Sequence, residues 1–373
     1  MGEGGGGGGG LTVVVVGAGL AGLSAAWELR QAGADVIVLE SGQRPGGVTV
    51  TERPDGFVVE GGPDGFLAAE PDIPALASEL GSADRLVDQL ATGSMLWTGA
   101  RLESLAEGRA AELLGIDVQG HSDVGAQHAA PLLSGFRSFA GGMATIVEAL
   151  VARLGAAVRT DQGVTAVAPS PRGWRLAVTG GSTYEAGGVV LAVPAWVAAR
   201  FLPAAGAGGP GGGRELDQVV YYPSITVSLA YRADQIPARL EGTGFVSAGD
   251  SGAGVRACSY SWLKYANRAP RGHALLRAFV GPGDGDPGAR AHGELVTILG
   301  LTGAPLWTRA FHWPRGLPRY KPGHAERVAH VRAQLARLAP LELAGAAVDG
   351  AGVSACVCSG REAARRLIRR LAG

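Results

Sequence analysis

The sequence predicts an α/β protein that contains a Rossmann-type dinucleotide-binding domain. The first observation is an apolar run, Leu-Thr-Val-Val-Val-Val at 11–16, whose β-branched residues are typical of a buried parallel strand. The second is a Gly-X-Gly-X-X-Gly motif that follows at once and opens a helical pattern extending to Leu29. The third is an apolar run at 35–39 that ends in the acidic residue Glu40. A strand, a glycine turn, a helix and a second strand ending in an acid together predict dinucleotide binding.

Each position of the glycine motif has a physical task. The motif consists of Gly17, Ala18, Gly19, Leu20, Ala21 and Gly22. In such a motif the first two glycines let the backbone turn and approach a pyrophosphate, and the third lets the helix pack close to the strand. The helix N-terminus adds unpaired N–H groups and positive potential. Glu40, followed by Ser41, offers a carboxylate that can accept hydrogen bonds from ribose hydroxyls. The chain has 62 glycines, so a glycine motif alone could arise by chance. The flanking strands and the acid are what make this motif indicate dinucleotide binding.

Composition limits the classes of partner. A chain of 373 residues can form two connected domains. Lys+Arg and Asp+Glu both number 33, so no strong positive field would attract nucleic acid or an anionic membrane. The expected partner is a small molecule. The three cysteines, at 258, 356 and 358, fit neither a disulfide framework nor a zinc site and indicate reduced thiols in a cytoplasmic protein.

Targeting segments are not expected. Residues 1–10 are almost all glycine, which predicts a disordered tail rather than a signal peptide. The uncharged stretch at 11–27 is interrupted by the glycine motif, so no transmembrane helix is predicted. Arg365, Arg366, Arg369 and Arg370 give the last helix a basic, solvated end that complements its dipole, and allow at most peripheral membrane contact.

The segments after Glu40 indicate which cofactor binds. They contain Arg44, Gly46, Gly47 and Val48, and then Gly62, Pro63, Asp64 and Gly65. This order resembles the Arg-X-Gly-Gly extension and the Gly-Pro-Asp strand of the protoporphyrinogen oxidase family, within the FAD-dependent amine oxidase superfamily. The resemblance implies that FAD is the cofactor. It also implies that residues 44–48 wrap the FAD pyrophosphate and ribityl chain, and that residues 62–65 pass along the flavin.

The resemblance continues to the end of the chain. The Phe-Ala-Gly-Gly-Met turn at 139–143 precedes a helical run at 146–154. The segment at 164–167 resembles the family's strand whose valine packs on adenine, which implies that contact for Val164. Further matching segments lie at 189–195, 227–231, 240–245, 268–273 and 275–281. The resemblance at 312–320 implies that Trp313 faces the flavin, and the alternative for this residue is an ordinary core aromatic. The closing motif contains Gly345, Gly352, Val353 and Ser354, and its helix would point its N-terminus at the flavin.

The domain boundaries follow from these segments. A discontinuous FAD-binding domain is expected from residues 11–90, 136–197 and 308–373, with an inserted α+β substrate domain from 91–135 and 198–307. Compared with the family, the region at 102–137 is short and predicts a loop with one or two short helices. A substrate pocket would therefore be differently walled. By the resemblance, Ser94 stands near the place of an arginine that pairs with a substrate propionate, and Arg101 is a candidate to replace that arginine. Val48 stands where a basic residue often follows the two glycines.

The implied activity is oxidation of a porphyrinogen by FAD, with O2 as acceptor, in haem and porphyrin biosynthesis. Protoporphyrinogen IX and coproporphyrinogen III are both candidate substrates. The flavin performs the chemistry and the protein positions the reactants, so no catalytic side chain is named. The alternatives are a related flavin amine oxidase or desaturase, and a non-catalytic FAD-binding protein. His121 and His128 lack a third ligand, so no metal is predicted. The oligomeric state is left open, with a homodimer as one candidate.

Overall fold

The computed structural model describes residues 12–106, 109, 113, 135–202, 213–248, 252 and 254–372. The strands are β1 Val13–Val16, β2 Val36–Leu39, β3 Thr51–Glu52, β4 Val59–Glu60, β5 Phe66–Leu67, β6 Leu86–Asp88, β7 Ser94–Trp97, β8 Leu102–Leu105, β9 Phe136–Phe139, β10 Val158–Arg159, β11 Val164–Ser170, β12 Gly173–Val178, β13 Thr183–Ala186, β14 Gly188–Leu191, β15 Val220–Arg232, β16 Gly244–Ser247, β17 Val255–Tyr260, β18 His273–Val280, β19 Trp307–Arg319 and β20 Leu341–Leu343. The helices are α1 Leu20–Gln31, α2 Asp72–Leu80, α3 Ala144–Leu154, α4 Ala195–Phe201, α5 Gly213–Leu216, α6 Ser261–Lys264, α7 Pro287–Leu299, α8 His324–Leu335 and α9 Val353–Ala372. The expected glycine-rich tail and the histidines at 121 and 128 lie outside the described residues.

The chain divides into two compact units. The first takes the described residues of Met1–Gly47, Val147–Val220 and Tyr320–Gly373, and the second those of Val48–Ile146 and Tyr221–Arg319. The boundaries expected from the sequence place residues 48–90, 136–146 and 308–319 in the FAD-binding domain. In the structure these residues belong to the second unit, and the described residues of 198–220, expected in the substrate domain, belong to the first.

The first unit is built on a parallel five-stranded sheet in the order β10-β2-β1-β14-β20. Its central strand β1 is fully buried, as expected for a strand covered on both faces. Helices α1 and α9 pack with their backbones close together, since a Cβ on Gly360 would overlap the carbonyl oxygen of Ala21. A small antiparallel sheet of β11, β12 and β13 completes the unit.

The second unit is built on a seven-stranded sheet in the order β19-β15-β18-β17-β16-β7-β8. One face packs on α7 through a core that includes Val227, Leu229, Leu276 and Leu295. Two short sheets, β3-β4 and β5-β9-β6, accompany it. The predicted α/β class, with a Rossmann-type domain and an α+β substrate region, is confirmed in these two units.

One local prediction is wrong. Residues 102–105 were expected in a loop with short helices, but they form β8, because a turn at 98–101 lets Leu102 pair with Trp97 on β7. The part of 102–137 beyond β8 falls largely outside the described residues. Within the described chain, no helix has the length and apolar character needed to cross a bilayer.

Candidate functional site

The glycine turn after β1 has the geometry that a dinucleotide phosphate requires. Gly17 adopts φ +99°, a conformation that favours glycine, and a Cβ there would lie 2.5 Å from the carbonyl oxygen of Ala192. A Cβ on Gly22 would overlap the carbonyl oxygen of Gly17. Gly19 precedes α1 and differs from both, because a Cβ there would meet no atom within 4 Å. The turn is therefore closed on its inner side and open at Gly19, in front of the helix N-terminus.

Glu40 lies directly after β2 and is tied to the same turn. Its Oε2 accepts the backbone N–H of Ala18 at 2.8 Å, and its Oε1 accepts the N–H of Gly42 at 2.8 Å and the hydroxyl of Ser41 at 3.2 Å. A carboxylate has about four lone-pair sites, so acceptor capacity remains for a ribose hydroxyl. The protein thus fixes the acid before any ligand binds.

The Arg-X-Gly-Gly segment folds back onto the glycine turn. The N–H of Gly46 donates to the carbonyl of Ala18 at 2.7 Å, and Gly46 forms a parallel bridge with Gly19. A Cβ on Gly47 would lie 3.3 Å from the Cα of Gly19. The guanidinium of Arg44 donates to the carbonyl of Gly47 at 2.8 Å, so this arginine shapes its own loop. The two glycine segments predicted from sequence therefore meet in one unit.

The closing motif is held by a network that the sequence did not indicate. The N–H of Gly345 donates to the Ser359 hydroxyl at 2.8 Å, and that hydroxyl donates to Asp349. Asp349 also accepts from Arg332 Nη2 at 2.7 Å. A Cβ on Gly345 would lie 3.3 Å from the Cβ of Ala21 on α1, so the closing motif lies next to the first helix.

Helix α9 begins at Val353, with Gly352 before it and Ser354 after it. The hydroxyl of Ser354 is buried and has no hydrogen-bond partner among the described residues. A buried hydroxyl without a partner fits a site that a polar ligand completes. Val164 starts β11 and is half-buried, and its predicted contact with adenine remains a prediction. The open space at Gly19 and the unpartnered hydroxyl of Ser354 both fit a dinucleotide cofactor.

The remaining predicted site residues lie in the second unit. Val48 is 48% exposed, and Gly62, Pro63, Asp64 and Gly65 follow β4. The carboxylate of Asp64 pairs with Lys264 Nζ at 2.9 Å. Burial raises the pKa of Asp64, but Lys264, Arg277 and Arg268 outweigh it and lower that pKa to about 2. Asp64 therefore stays ionised across the physiological pH range.

Asp64 belongs to a buried group of charges, the unit-two charge cluster: Glu60, Asp64, Lys264, Arg268 and Arg277. Arg268 Nη1 lies 3.4 Å from Glu60 Oε1, with both side chains at most 4% exposed. Burial raises the pKa of Glu60, although Arg268 opposes this. Burial lowers the pKa of Arg277. The three cations outnumber the two carboxylates, so the cluster carries net positive charge.

Three side chains with expected roles at the flavin or the substrate have protein partners in the structure. The indole N–H of Trp313 donates to the carbonyl of Gly61 at 2.8 Å, which orients this ring by a protein contact. Ser94 shares a hydrogen bond with the Thr243 hydroxyl at 3.0 Å. Arg101 pairs with Glu103 at 2.7 Å, and its side chain is 78% exposed. The structure therefore shows no buried cation at position 94 or 101 that could pair with a substrate propionate.

The basic end of α9 agrees with the prediction in part. Arg365 and Arg369 are exposed, as expected for a solvated end. Arg366 and Arg370 instead pair with Glu342 at 2.9 and 3.1 Å. Arg370 also donates to the carbonyls of residues 335, 338, 339 and 341, so these two arginines hold α9 against its neighbours in the first unit.

Sequence reasoning missed the unit-two charge cluster, although one signal was available. Arg277 interrupts the apolar run of β18, Ala-Leu-Leu-Arg-Ala-Phe-Val at 274–280, and a charge inside a buried strand indicates a specific partner. Lys264 and Arg268 carry no such signal, because Lys264 is the last residue of the short helix α6 and Arg268 lies in the loop that follows it. Among the residues that the structure describes, no group of three or more His, Cys, Asp or Glu side chains could hold a metal ion.

Two family models match the chain. "NAD(P)-binding Rossmann-like domain" matches residues 15–80, which include the glycine turn, Glu40 and the Arg-X-Gly-Gly segment. "Flavin containing amine oxidoreductase" matches residues 103–368, more than half of the chain. The second match agrees with the resemblance seen in the motifs.

Curated relatives are porphyrinogen oxidases by name. Coproporphyrinogen III oxidase of Mycobacterium tuberculosis is 28% identical over 452 aligned positions, which cover 96% of this chain and 97% of the relative. The alignment is longer than this chain, so the relative carries residues that this chain lacks. Coproporphyrinogen III oxidase of Propionibacterium freudenreichii is 30% identical over 64% of this chain and 46% of the relative. The chloroplastic protoporphyrinogen oxidase of Oryza sativa is 25% identical over 62% of this chain and 47% of the relative.

Solved structures share the fold. One from Exiguobacterium sp. 255-15, whose name assigns it provisionally to the protoporphyrinogen oxidases, has a TM-score of 0.78 and 24% identity over 95% of this chain and 98% of that chain. Cyclohexylamine oxidase of Brevibacterium oxydans has a TM-score of 0.74 and 15% identity, over 97% of this chain and 100% of that chain. The predicted cofactor, FAD, is confirmed by the flavin-containing family. The matched family model and the glycine turn agree, and the chain belongs to the flavin containing amine oxidoreductases.

Proposed function

We propose that this protein is an FAD-dependent porphyrinogen oxidase that oxidises coproporphyrinogen III to coproporphyrin III, with O2 as the final electron acceptor. The observation that carries the proposal is the end-to-end similarity to coproporphyrinogen III oxidase of Mycobacterium tuberculosis, over 96% of this chain. Protoporphyrinogen IX is the second substrate candidate, since the Oryza sativa relative is named for it.

The chemistry divides between cofactor and protein. Bound FAD supplies the two-electron acceptor for hydrogen removed from the porphyrinogen. In the proposal, the Gly19 turn and the N-terminus of α1 hold the pyrophosphate, because no side chain caps this helix and the open space at Gly19 lets a phosphate approach the backbone. Glu40 accepts the adenosine ribose hydroxyls. The start of α9 with Ser354 provides positive helix potential and a buried hydroxyl for the flavin end.

Atoms and electrons balance without a catalytic side chain. Each turnover removes one pair of hydrogens from the porphyrinogen, and O2 takes up that pair as H2O2. Successive turnovers complete the conversion to the aromatic porphyrin. The role of the protein is therefore to bind and orient the macrocycle and to limit access of water to the reacting carbon.

The substrates differ in charge, which makes the proposal specific. Coproporphyrinogen III carries two propionates where protoporphyrinogen IX carries two vinyl groups. An enzyme discriminates between them by the number of cations that meet carboxylates.

A non-catalytic FAD-binding protein is the second candidate. One observation favours it: the Mycobacterium tuberculosis relative carries residues that this chain lacks. Such a protein would bind FAD and leave both porphyrinogens unchanged. The predicted cytoplasmic location and the homodimer remain predictions.

The decisive experiment is anaerobic mixing of the FAD-loaded protein with each porphyrinogen. We expect bleaching of the flavin absorbance and a rise in porphyrin fluorescence with coproporphyrinogen III, at a higher kcat/KM than with protoporphyrinogen IX. Readmission of air should restore the flavin absorbance and release H2O2. Stable yellow protein that is bleached by neither porphyrinogen would support the non-catalytic candidate. Bleaching by an amine instead would contradict both.

A further inference from the structure

Two neighbouring carbonyl groups of the second unit accept hydrogen bonds from three side chains. The carbonyl of Gly61 accepts from Thr226 Oγ1 at 3.1 Å and from Trp313 Nε1 at 2.8 Å. The carbonyl of Gly62 accepts from the guanidinium of Arg277. The donors lie on β15, β18 and β19, so three strands of the seven-stranded sheet hold one short segment. We call Thr226, Arg277 and Trp313 the carbonyl clamp.

The clamped segment has no room to adjust. A Cβ on Gly61 would lie 2.5 Å from the ring of Phe311, and a Cβ on Gly62 would overlap the carbonyl oxygen of Val48. The N–H of Gly61 is also bound, to the carbonyl of Val50 at 2.8 Å. Because the backbone is packed at contact distance on these sides, a change in the clamp is transmitted to residues 62–65.

Arg277 connects the clamp to the unit-two charge cluster. Its side chain is buried, and burial lowers the pKa of this guanidinium while Asp64 and Glu60 raise it. In the antiparallel pairing of β18 with β15, Arg277 lies opposite Ser228. A charged donor bound to a carbonyl on one side and compensated by carboxylates on the other makes a stronger anchor than a neutral hydrogen bond.

We propose that the carbonyl clamp is a set of positioning residues for the flavin: Thr226, Arg277 and Trp313 fix the backbone of residues 62–65, and that backbone sets the environment of the bound flavin. The inference rests on the proposed function and on the prediction that residues 62–65 line the flavin. It assigns Trp313 a role through its N–H group, in addition to any ring contact.

The matched pair of variants is Trp313→Phe and Trp174→Phe. Each removes an indole N–H that donates to a carbonyl, since Trp174 Nε1 donates to Pro340 at 3.0 Å within the first unit. We expect Trp313→Phe to shift the visible flavin spectrum and to change the FAD dissociation constant or kcat by about two- to tenfold, the range of one hydrogen bond. We expect Trp174→Phe to lower thermal stability and leave the flavin spectrum as in the wild type.

A double-mutant cycle tests whether two clamp residues act on one atom. The carbonyl of Gly61 has two lone pairs, so either Thr226→Val or Trp313→Phe leaves it one donor. The combined variant leaves it without a side-chain donor, and its effect on the flavin spectrum should exceed the sum of the single effects. Additive effects would count against a shared anchor.

Arg277 needs a conservative variant because its removal could impair folding. Arg277→Lys keeps the charge and one donor, so it should retain FAD and show an intermediate flavin spectrum. Arg277→Met should lose FAD affinity further and lower kcat more than it raises KM. Wild-type spectra and FAD affinity in Trp313→Phe, Thr226→Val and Arg277→Lys would overturn the clamp, whichever porphyrinogen is oxidised. Spectral shifts in a protein that oxidises neither porphyrinogen would support the clamp and contradict the proposed function.

Discussion

The two units reach their functional geometry by different means. In the first unit, the candidate site consists mainly of backbone: a glycine turn, a helix N-terminus and a second glycine segment bound to the first. In the second unit, it consists of buried side chains from strands and loops far apart in sequence. Backbone geometry leaves a local signature in the sequence, whereas convergence of distant side chains does not.

Charge is placed differently as well. The ion pairs of α9 in the first unit involve side chains such as Arg365, which is 47% exposed. The Arg268 and Glu60 pair in the second unit is at most 4% exposed. Removing one partner of an ion pair should therefore lower the free energy of unfolding much more in the second unit than in the first.

The largest effect is expected for Arg268→Met. This change leaves Glu60 buried without its cation and removes a donor to the Ser138 hydroxyl at 2.6 Å. We expect a loss of about 3–5 kcal/mol in the free energy of unfolding, the usual cost of breaking a buried pair. Urea denaturation followed by circular dichroism measures it. A loss below about 1 kcal/mol would mean that the cluster is as screened as a surface pair.

The next effect separates folding from cofactor binding in the first unit. Gly22→Ala places a Cβ against the carbonyl of Gly17 and should destabilise the apoprotein by about 1–3 kcal/mol through overpacking. Gly19→Ala points a methyl group into open space at φ −69°, so it should leave the apoprotein stable and weaken only FAD binding. Calorimetry of apoprotein and FAD titration measure both. Equal stability losses in the two variants would contradict the open geometry at Gly19.

A smaller effect appears in the pH dependence of stability. The folded-state pKa of Asp64 is lowered from 3.8 to about 2, so its stabilisation is present above 3.8 and lost as the pH falls through about 2. Asp64→Asn should therefore differ from the wild type most at neutral pH, and the difference should shrink in that acidic window.

Glu60→Gln is the matched control with the opposite sign. The pKa of Glu60 is raised from 4.5 by burial, so ionisation of this carboxyl costs stability as the pH rises above 4.5. The stability of Glu60→Gln relative to the wild type should improve as the pH rises. Parallel pH profiles for Asp64→Asn and Glu60→Gln would show that the two carboxyls titrate alike.

The smallest effect is expected for Arg365→Met on α9. Its pairs with Glu28 and Glu362 are partly exposed, and Arg361 also pairs with Glu28 at 3.0 Å. We expect a change below about 1 kcal/mol, weaker still at high salt. A loss comparable to that of Arg268→Met would remove the contrast between the two units.

The sequence was sufficient wherever a short segment determines its own geometry. The strand before Gly17, the helix after Gly19 and the acid after β2 could be predicted because turn, capping and register depend on neighbouring residues. It was insufficient at 102–105, where pairing with β7 decided the structure, and at Ser94 and Arg101, whose partners are Thr243 and Glu103.

The sequence by itself determined the Rossmann-type fold and the glycine turn, because these depend on local backbone conformation, and its resemblance to a known family implied the flavin cofactor. Tertiary structure alone decided that Lys264, Arg268 and Arg277 share a buried site with Glu60 and Asp64, and that Trp313 donates to Gly61. The partners in these pairs lie about 200 or more residues apart in sequence. The pairing of β15, β18 and β19 in one sheet brings Thr226, Arg277 and Trp313 together, and burial then gives the charges and hydrogen bonds of the second unit their strength.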